Sequence, residues 1–482
     1  MKTVEEYLAS LRSRDLRLFV RGELVPPEQI VDHPQIAPSL RTVAESYRLA
    51  AEAEHHEVFT AHSPYIDARV NRFTHIYACE EDLHLKQRMQ RKLGQVTGTC
   101  FQRCVGMDAL NALFNVTFEL DAANQGDYHQ RFMSYLRHVQ TEDLICCGAM
   151  TDPKGDRRKG PLEQPDMYLR VVERRKDSIV VRGAKMHQTG VVNSHEIIAM
   201  PGRALRAGEE DFALSFAIPL DTPGITLVYG RSPSDGRRAG SDLDQGTRYG
   251  GQEAVVIFED VVVPMDRVFL LGEVDFALPL VEYFAGHHRH SYSGCKPGNA
   301  DVLIGAAALA VRLNGVERAS HVRDKLVEMV HLTETISGCG TACAARCTKT
   351  PAGAVMVDPL LANVTKHNVT RFPYEIGRLA EDLAGGLMAT LPSAEDMDNP
   401  DIGPLLQSYL KGARGSGRDR AKVLRLIESM TIGTTAVPLR TEAMHGAGSP
   451  QAQRVRIAQQ ANYEEKIGFA RRIAGIGEEG GE

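Results

Sequence analysis

The sequence predicts an α+β fold, because the period of its apolar residues changes twice along the chain. Helical spacing runs to about Val139, short β-branched runs fill the stretch from Gly148 to Leu271, and helical spacing returns after Asp275. With 482 residues and a hydrophobic content of 43%, the chain can bury a continuous core over two or three domains. We expect an N-terminal helical domain over 1–147, a middle β domain over 148–272 and a C-terminal helical bundle over 273–482.

In the first part, Leu83, Leu85, Met89 and Leu93, then Leu110, Leu113, Phe114, Val116 and Phe118, follow helical spacing. In the middle, Met167–Val172, Ser178–Gly183, Phe212–Phe216, Ile225–Tyr229 and Ala254–Phe258 read as strands separated by turn residues. Beyond Asp275, long helical segments are expected around Asp324–Cys347, Leu360–Leu387 and Gln451–Ile476. Ser393 to Pro404 reads as a surface loop, and the Gly/Glu tail after Ile476 as disordered.

The formal charge of −6 is small for this length, and Arg157-Arg158-Lys159 and Arg174-Arg175-Lys176 are short and not interleaved with aromatics, which argues against a nucleic-acid partner. The first residues carry no apolar signal core, and the most apolar stretch, Val302–Val311, is too short to span a bilayer. We expect no membrane partner and a cytoplasmic location. Nine cysteines in such a chain favour thiolate chemistry or simple burial over a disulfide framework. With no tryptophan, Tyr, Phe, His and Met must line any cofactor pocket.

Two segments stand out. Cys100 and Cys104 flank Phe101-Gln102-Arg103; if they are helical, both thiols project from one face about a turn apart and can ligate two corners of an iron-sulfur cluster. The competing reading is two small buried apolar residues, and the cationic Arg103 weighs towards thiolates. In His287-His288-Arg289-His290-Ser291-Tyr292-Ser293-Gly294-Cys295-Lys296, His288 and Cys295 can supply a nitrogen and a third sulfur, against the alternative of a surface histidine cluster. Cys339, Cys343 and Cys347 fall at i, i+4 and i+8, but the small residues between them favour a buried stripe packed closely on another helix. Cys146-Cys147 point to divergent faces, and Cys79 has no neighbour in sequence.

Met150-Thr151-Asp152-Pro153-Lys154-Gly155-Asp156-Arg157 is a turn-rich loop with cations that can meet an anionic cofactor, or simply a polar turn. His187-Gln188-Thr189 closes a strand with donors suited to flavin heteroatoms. Gly385-Gly386 admits either a pyrophosphate or a neighbouring helix.

Taken together, Cys100 to Asp108, Met150 to Arg157, His187 to Gly190, Gly250 to Ala254, His288 to Lys296, Arg371 to Ile376 and Arg440 to Arg454 closely resemble the 4-hydroxybutyryl-CoA dehydratases, in that family's order and over almost the whole chain. This family is similar to the flavin-dependent 4-hydroxyphenylacetate 3-monooxygenases, and both resemble acyl-CoA dehydrogenases in fold, as does Glu259 to Val268 at the end of the β domain. The monooxygenase branch lacks the cluster cysteines, so Cys100, Cys104, His288 and Cys295 discriminate between the two. The resemblance implies FAD, held by Met150, Thr151, Lys154, Gly155, Asp156, Arg157, His187, Gln188, Thr189, Gly385 and Gly386. It implies a 4Fe-4S cluster on Cys100, Cys104, His288 and Cys295, and a CoA-thioester substrate met by Arg91 and Gln102. It also implies that 4-hydroxybutyryl-CoA becomes crotonyl-CoA, with vinylacetyl-CoA isomerisation as a companion reaction, by a radical route in which flavin accepts one electron and the cluster acts as Lewis acid. His288, Tyr292, Glu253, Lys296 and Glu442 would be catalytic, and a homotetramer is expected by analogy. Departures are His287 and His290, where Tyr and Gln are expected, Ser293 in place of a glycine, and the basic run Arg157 to Lys159. These leave open another hydroxyacyl-CoA, and an aromatic monooxygenase is the alternative reading.

Overall fold

β-Branched residues alternating with polar ones make half-buried strands, and here they form two packed sheets. The computed structural model describes residues 1–230, 241–433 and 435–476. Its six-stranded sheet runs in the order Glu23–Val25, Leu18–Val20, Ile225–Tyr229, Glu253–Pro264, Ser178–Thr189 and Arg170–Arg174. A four-stranded sheet runs Val268–Leu271, Leu214–Pro219, Glu196–Ala199 and Cys146–Ala149. Val181, Phe216, Ile218, Val256 and Phe258 fill the core they share. Antiparallel register sets Glu253 opposite Thr189 at the end of the longest strand pair.

The chain is thus α+β, as its changing period implies. The two short strands Leu18–Val20 and Glu23–Val25 lie in a stretch expected to be helical, and they extend the large sheet by parallel pairing of Leu18 with Leu227. Three-residue strands are too short to show a period. The segment Leu360–Leu387 is two helices, Pro359–Val369 and Phe372–Ala384, and Pro373 takes the favoured place for proline in the first turn of the second. Gln451–Ile476 likewise divides into Pro450–Gln460 and Tyr463–Ala474, with Asn462 at φ +44° capping the second. The expected surface loop holds a capped turn of helix, Ala394–Asp398, opened by Ser393. The tail after Ile476 lies outside the described residues.

One helix organises the remainder. Val274–Asn314 runs 41 residues, about 60 Å at the helical rise, and carries the histidine-cysteine segment through the interior. It lies directly on the helix Glu80–Thr97: a Cβ at Gly294 would stand 2.5 Å from the Gln87 carbonyl oxygen, one at Gly94 would stand 2.9 Å from Gly298, and one at Gly298 would overlap the Arg91 carbonyl. Beyond the glycines, Leu303, Ala307 and Val311 pack with Met329, Ile376 and Ile427 from later helices. No helix among the described residues is long and apolar enough to cross a membrane.

This backbone contact is testable. Gly298→Ala is expected to cost about 1–3 kcal/mol by overpacking. Gly305→Ala, on the same helix with nothing within 4 Å of the new methyl, is expected to be neutral or to stabilise by up to about 1 kcal/mol. Urea unfolding of the two variants measures the difference.

Candidate active site

Cys100 lies outside any helix. The chain turns at Gln102, whose φ is +66°, and the helix Cys104–Asn124 begins at the second cysteine. The expected single helical face is therefore corrected: a loop and a helix start, rather than one turn of helix, bring the thiols inward. Cys100, Cys104 and Cys295 are all free and buried. Burial pushes the Cys100 thiol well above its ordinary range, with Glu442 and Cys104 adding to the rise. Cys104 is raised by burial, Asp108 and Cys295. Cys295 is pushed up to about 12 by burial, with Lys296 opposing. These mutual influences place the three sulfurs around one region. Arg103 does not serve them. Its guanidinium turns to Ser46 Oγ at 2.8 Å and stacks over Tyr47 and Phe73.

The hub of the site is Asp108, one turn after Cys104 and fully buried. Its Oδ1 accepts from Lys86 Nζ at 2.8 Å; its Oδ2 meets His288 Nδ1 at 2.9 Å and accepts from Ser291 Oγ at 2.9 Å. Lys86 also donates to the His287 carbonyl at 2.9 Å. Burial opposes ionisation of Asp108, yet Lys86 and His288 hold its carboxyl well below the usual range. An ionised carboxylate at Nδ1 favours the proton on that nitrogen, which leaves Nε2 as the ligating atom of a neutral ring, the arrangement typical of metal-ligating histidines.

Two further carboxyls differ in state. Glu442 accepts from Lys296 Nζ at 2.6 Å through Oε2 and from Cys100 Sγ at 3.2 Å through Oε1. Although burial disfavours its charge, Lys296 holds it below the usual carboxyl range. Glu253 accepts Thr189 Oγ1 at 2.7 Å, and burial raises its carboxyl well above that range. Tyr292, 1% exposed, stands edge-on to His288 and donates its hydroxyl to the Glu442 carbonyl at 3.4 Å.

The other expected residues are distributed as follows. The loop Met150 to Arg157 is tied to the strand Ser178–Thr189 by Met186 N donating to Thr151 O at 2.7 Å, with Lys154 and Gly155 at positive φ. His187, at φ +58°, feels Lys154 and His445, so this loop lies towards the helix Ala436–His445 that carries Glu442. Gln188 is buried beside Thr189. Gly385 closes its helix at φ +76°, and a Cβ added at Gly385 or at Gly386 would meet nothing within 4 Å among the described residues. Arg91 is held by Asp301 at 2.8 Å and Glu334 at 2.5 Å. Gln102 is committed to Gly250 O at 2.9 Å and Asn193 Nδ2 at 3.0 Å. The structure gives both side chains protein partners.

The histidines are no surface cluster. His287 and His290 are wholly buried; among the described residues neither ring nitrogen of His287 has a hydrogen-bond partner, and the His290 ring lies by the Gly340 backbone. Ser293 packs on Gly340, where any Cβ would overlap it, so the serine is matched by a glycine on the facing helix Ser320–Ala345. That is the close packing expected of the cysteine stripe, although only Cys343 is fully buried and Cys339 and Cys347 are partly exposed. Cys146 and Cys147 enter different core clusters.

Comparison with known proteins decides the family. Models of the 4-hydroxyphenylacetate 3-hydroxylase N-terminal and C-terminal regions match residues 3–270 and 277–475. A 4-hydroxybutyryl-CoA dehydratase/vinylacetyl-CoA-Delta-isomerase from Clostridium aminobutyricum is 50% identical over 99% of this chain and 100% of its own. This chain belongs to the 4-hydroxybutyryl-CoA dehydratase family. The structure of an oxygen-tolerant archaeal 4-hydroxybutyryl-CoA dehydratase from N. maritimus superposes with a TM-score of 0.95 at 49% identity, over 100% of this chain and 96% of that one. The FAD-complexed oxygenase component of a 4-hydroxyphenylacetate 3-monooxygenase superposes at 0.87 with 26% identity, over 98% and 99%. The monooxygenases are thus the more distant branch.

Within this dehydratase family fold, sequence reasoning missed Lys86, Asp108 and Lys366. Asp108 follows Cys104 by four residues, a spacing that places both on one helix face, and this was its only signal. Lys86 sits among charged residues on an amphipathic helix and reads as solvent-facing.

Removing the hub tests its weight. Asp108→Asn leaves the Lys86 ammonium buried without its counter-charge, and a cost of about 3–5 kcal/mol is expected. Lys86→Met with Asp108→Asn should recover part of it in a double-mutant cycle of chemical unfolding. Because the folded carboxyl is depressed, its stabilisation is present above the unfolded pKa of about 3.9 and fades as pH falls through the lower folded value.

Proposed function

We propose that this chain dehydrates 4-hydroxybutyryl-CoA to crotonyl-CoA and isomerises vinylacetyl-CoA to the same product, as a cytoplasmic homotetramer carrying FAD and a 4Fe-4S cluster. The observation that supports the reading is a set of three buried free thiols near a His288 held through Nδ1 by Asp108, beside one carboxyl whose pKa is lowered and one whose pKa is raised. The donors fit such a cluster: Cys100, Cys104 and Cys295 are free, and the Asp108 bond at Nδ1 orients His288 for ligation. Among the described residues no three His, Cys, Asp or Glu side chains converge on a single-ion site. A four-iron cluster would ask for a wider donor set than one ion does. Met150, Thr151, Lys154, Gly155, Asp156, Arg157, His187, Gln188, Thr189, Gly385 and Gly386 would hold FAD, and the three-part division at 148 and 273 would place it between the β domain and the helices. When bound, flavin supplies a one-electron acceptor for a radical route and the cluster a Lewis acid for the departing hydroxyl.

The chain's own residues handle the protons. The C2 hydrogens of the substrate, next to the thioester carbonyl, are acidic enough for a positioned base, whereas those at C3 are not. Lys296 lowers the Glu442 pKa and so favours the form that accepts a proton; burial raises the Glu253 pKa and so favours the form that gives one. Environments that push two carboxyls apart in this way assign the base and the acid. His288 would help to hold the cluster, and its contact with Asp108 through Nδ1 lets the carboxylate stabilise positive charge on the ring. Tyr292 and Lys296 line the space between Glu442 and His288.

Two measurements follow. Anaerobic purification with iron, sulfide and flavin quantitation should give about four irons and four sulfides with one FAD per subunit, and crotonyl-CoA from 4-hydroxybutyryl-CoA in the same sample. Flavin without iron, with oxygen consumption on a phenol, would move the chain to the monooxygenase branch. Glu253→Gln, which cannot give up an acid proton, should lower kcat by about 10²–10⁴ with cofactor content intact. In the parent enzyme activity should fall as pH rises through the raised Glu253 pKa, and that basic limb should be missing from the variant's residual activity.

A further inference from the structure

We propose that Lys366 is a positioning residue of this site, holding the end of the Glu442 helix against the ring of Tyr292. Lys366 lies on the helix Pro359–Val369 and is completely buried. Its Nζ donates to the Ala443 carbonyl at 2.7 Å and stands 4.9 Å from the centroid of the Tyr292 ring. Ala443 follows Glu442 in the last turn of the helix Ala436–His445, where carbonyls lack an intrahelical donor and a cation is favoured. Arg289 supports the same segment from the long central helix, donating through Nε to the Ala447 carbonyl at 3.1 Å.

Packing does not account for this lysine. A buried ammonium whose partners are one carbonyl and one aromatic face costs more in lost hydration than a neutral hydrogen bond returns, and a methionine would fill the same space without that cost. Burial and the nearby Lys296 bring its pKa down to about 7, with Glu442 opposing, so the contacts described are those of its protonated form. What the charge does is fix two groups at once. It fastens the backbone beside Glu442, whose carboxylate reaches Cys100 and Lys296, and it faces the ring of Tyr292, whose hydroxyl returns to the Glu442 carbonyl. Tyr292 is therefore flanked by two ammonium groups, Lys366 and Lys296 at 5.4 Å, which favour one ring orientation. Lys366 acts through Glu442 and Tyr292.

The inference rests on the dehydratase reading only for its activity readout. Fluorotyrosine placed at position 292 alone reports the ring's surroundings by fluorine NMR in the full chain, with and without iron. Lys366→Met should shift that resonance in both forms and lower kcat about tenfold or more, with KM changed less than about threefold and iron content unchanged. Lys366→Arg should return the resonance towards its original position and restore part of kcat. An unmoved resonance in Lys366→Met would overturn the proposal. So would a loss of activity that tracks a lowered Tm and that arginine does not rescue. Where the methionine variant fails to fold, Lys366→Gln carries the same comparison. If the parent protein forms no crotonyl-CoA, the dehydratase reading falls, while the fluorine comparison still decides the role of Lys366.

Discussion

The buried carboxylate of Asp108 is the interaction on which the rest of the site depends. A charge in a dry interior persists only when its lone pairs are filled, and here Lys86, His288 and Ser291 fill them from two other helices. The same contacts lock three helices in register and favour the proton on Nδ1 of His288. Fold stability and ligand chemistry thus share one group. Such an arrangement tolerates little relaxation, since loss of any partner leaves a buried charge or an unpaired donor.

That hub can exist only because the central helix comes within backbone distance of Glu80–Thr97. Gly94, Gly294 and Gly298 permit this approach, and Lys86 reaches Asp108 across it. The sheets contribute the opposite wall: the register that pairs Glu253 with Thr189 places a carboxyl with a raised pKa near Glu442 and Lys296, whose charges both reach it. Three structural sources, a loop before a helix, a long helix and a strand end, therefore supply the sulfurs, the imidazole and the acid.

Much of this was legible in the sequence, for reasons specific to each part. Ile225–Tyr229 shows as a strand with its observed bounds because its β-branched run is bounded by turn residues. His288, Tyr292, Cys295 and Lys296 stand out because chemically active residue types crowd into one short stretch, and all four lie on one helix. The interior cations were not legible. Lys86 and Lys366 have the local context of exposed lysines, and only partners 22 and 77 residues away turn them inward. Whether Cys100 lies on a helix was left conditional, because Gln102 gives no warning of a left-handed backbone, whereas a glycine there would have. Arg103 was assigned to the thiols from adjacency alone, but Ser46, Tyr47 and Phe73 claim it.

The most direct test of the account is anomalous diffraction at the iron edge from crystals of anaerobically purified protein. The account predicts one cluster bounded by the Sγ atoms of Cys100, Cys104 and Cys295 and by Nε2 of His288, with Nδ1 still on Asp108. Iron bound elsewhere, at the Cys339, Cys343 and Cys347 stripe for instance, or an active enzyme with His288 joined through Nδ1, would contradict it.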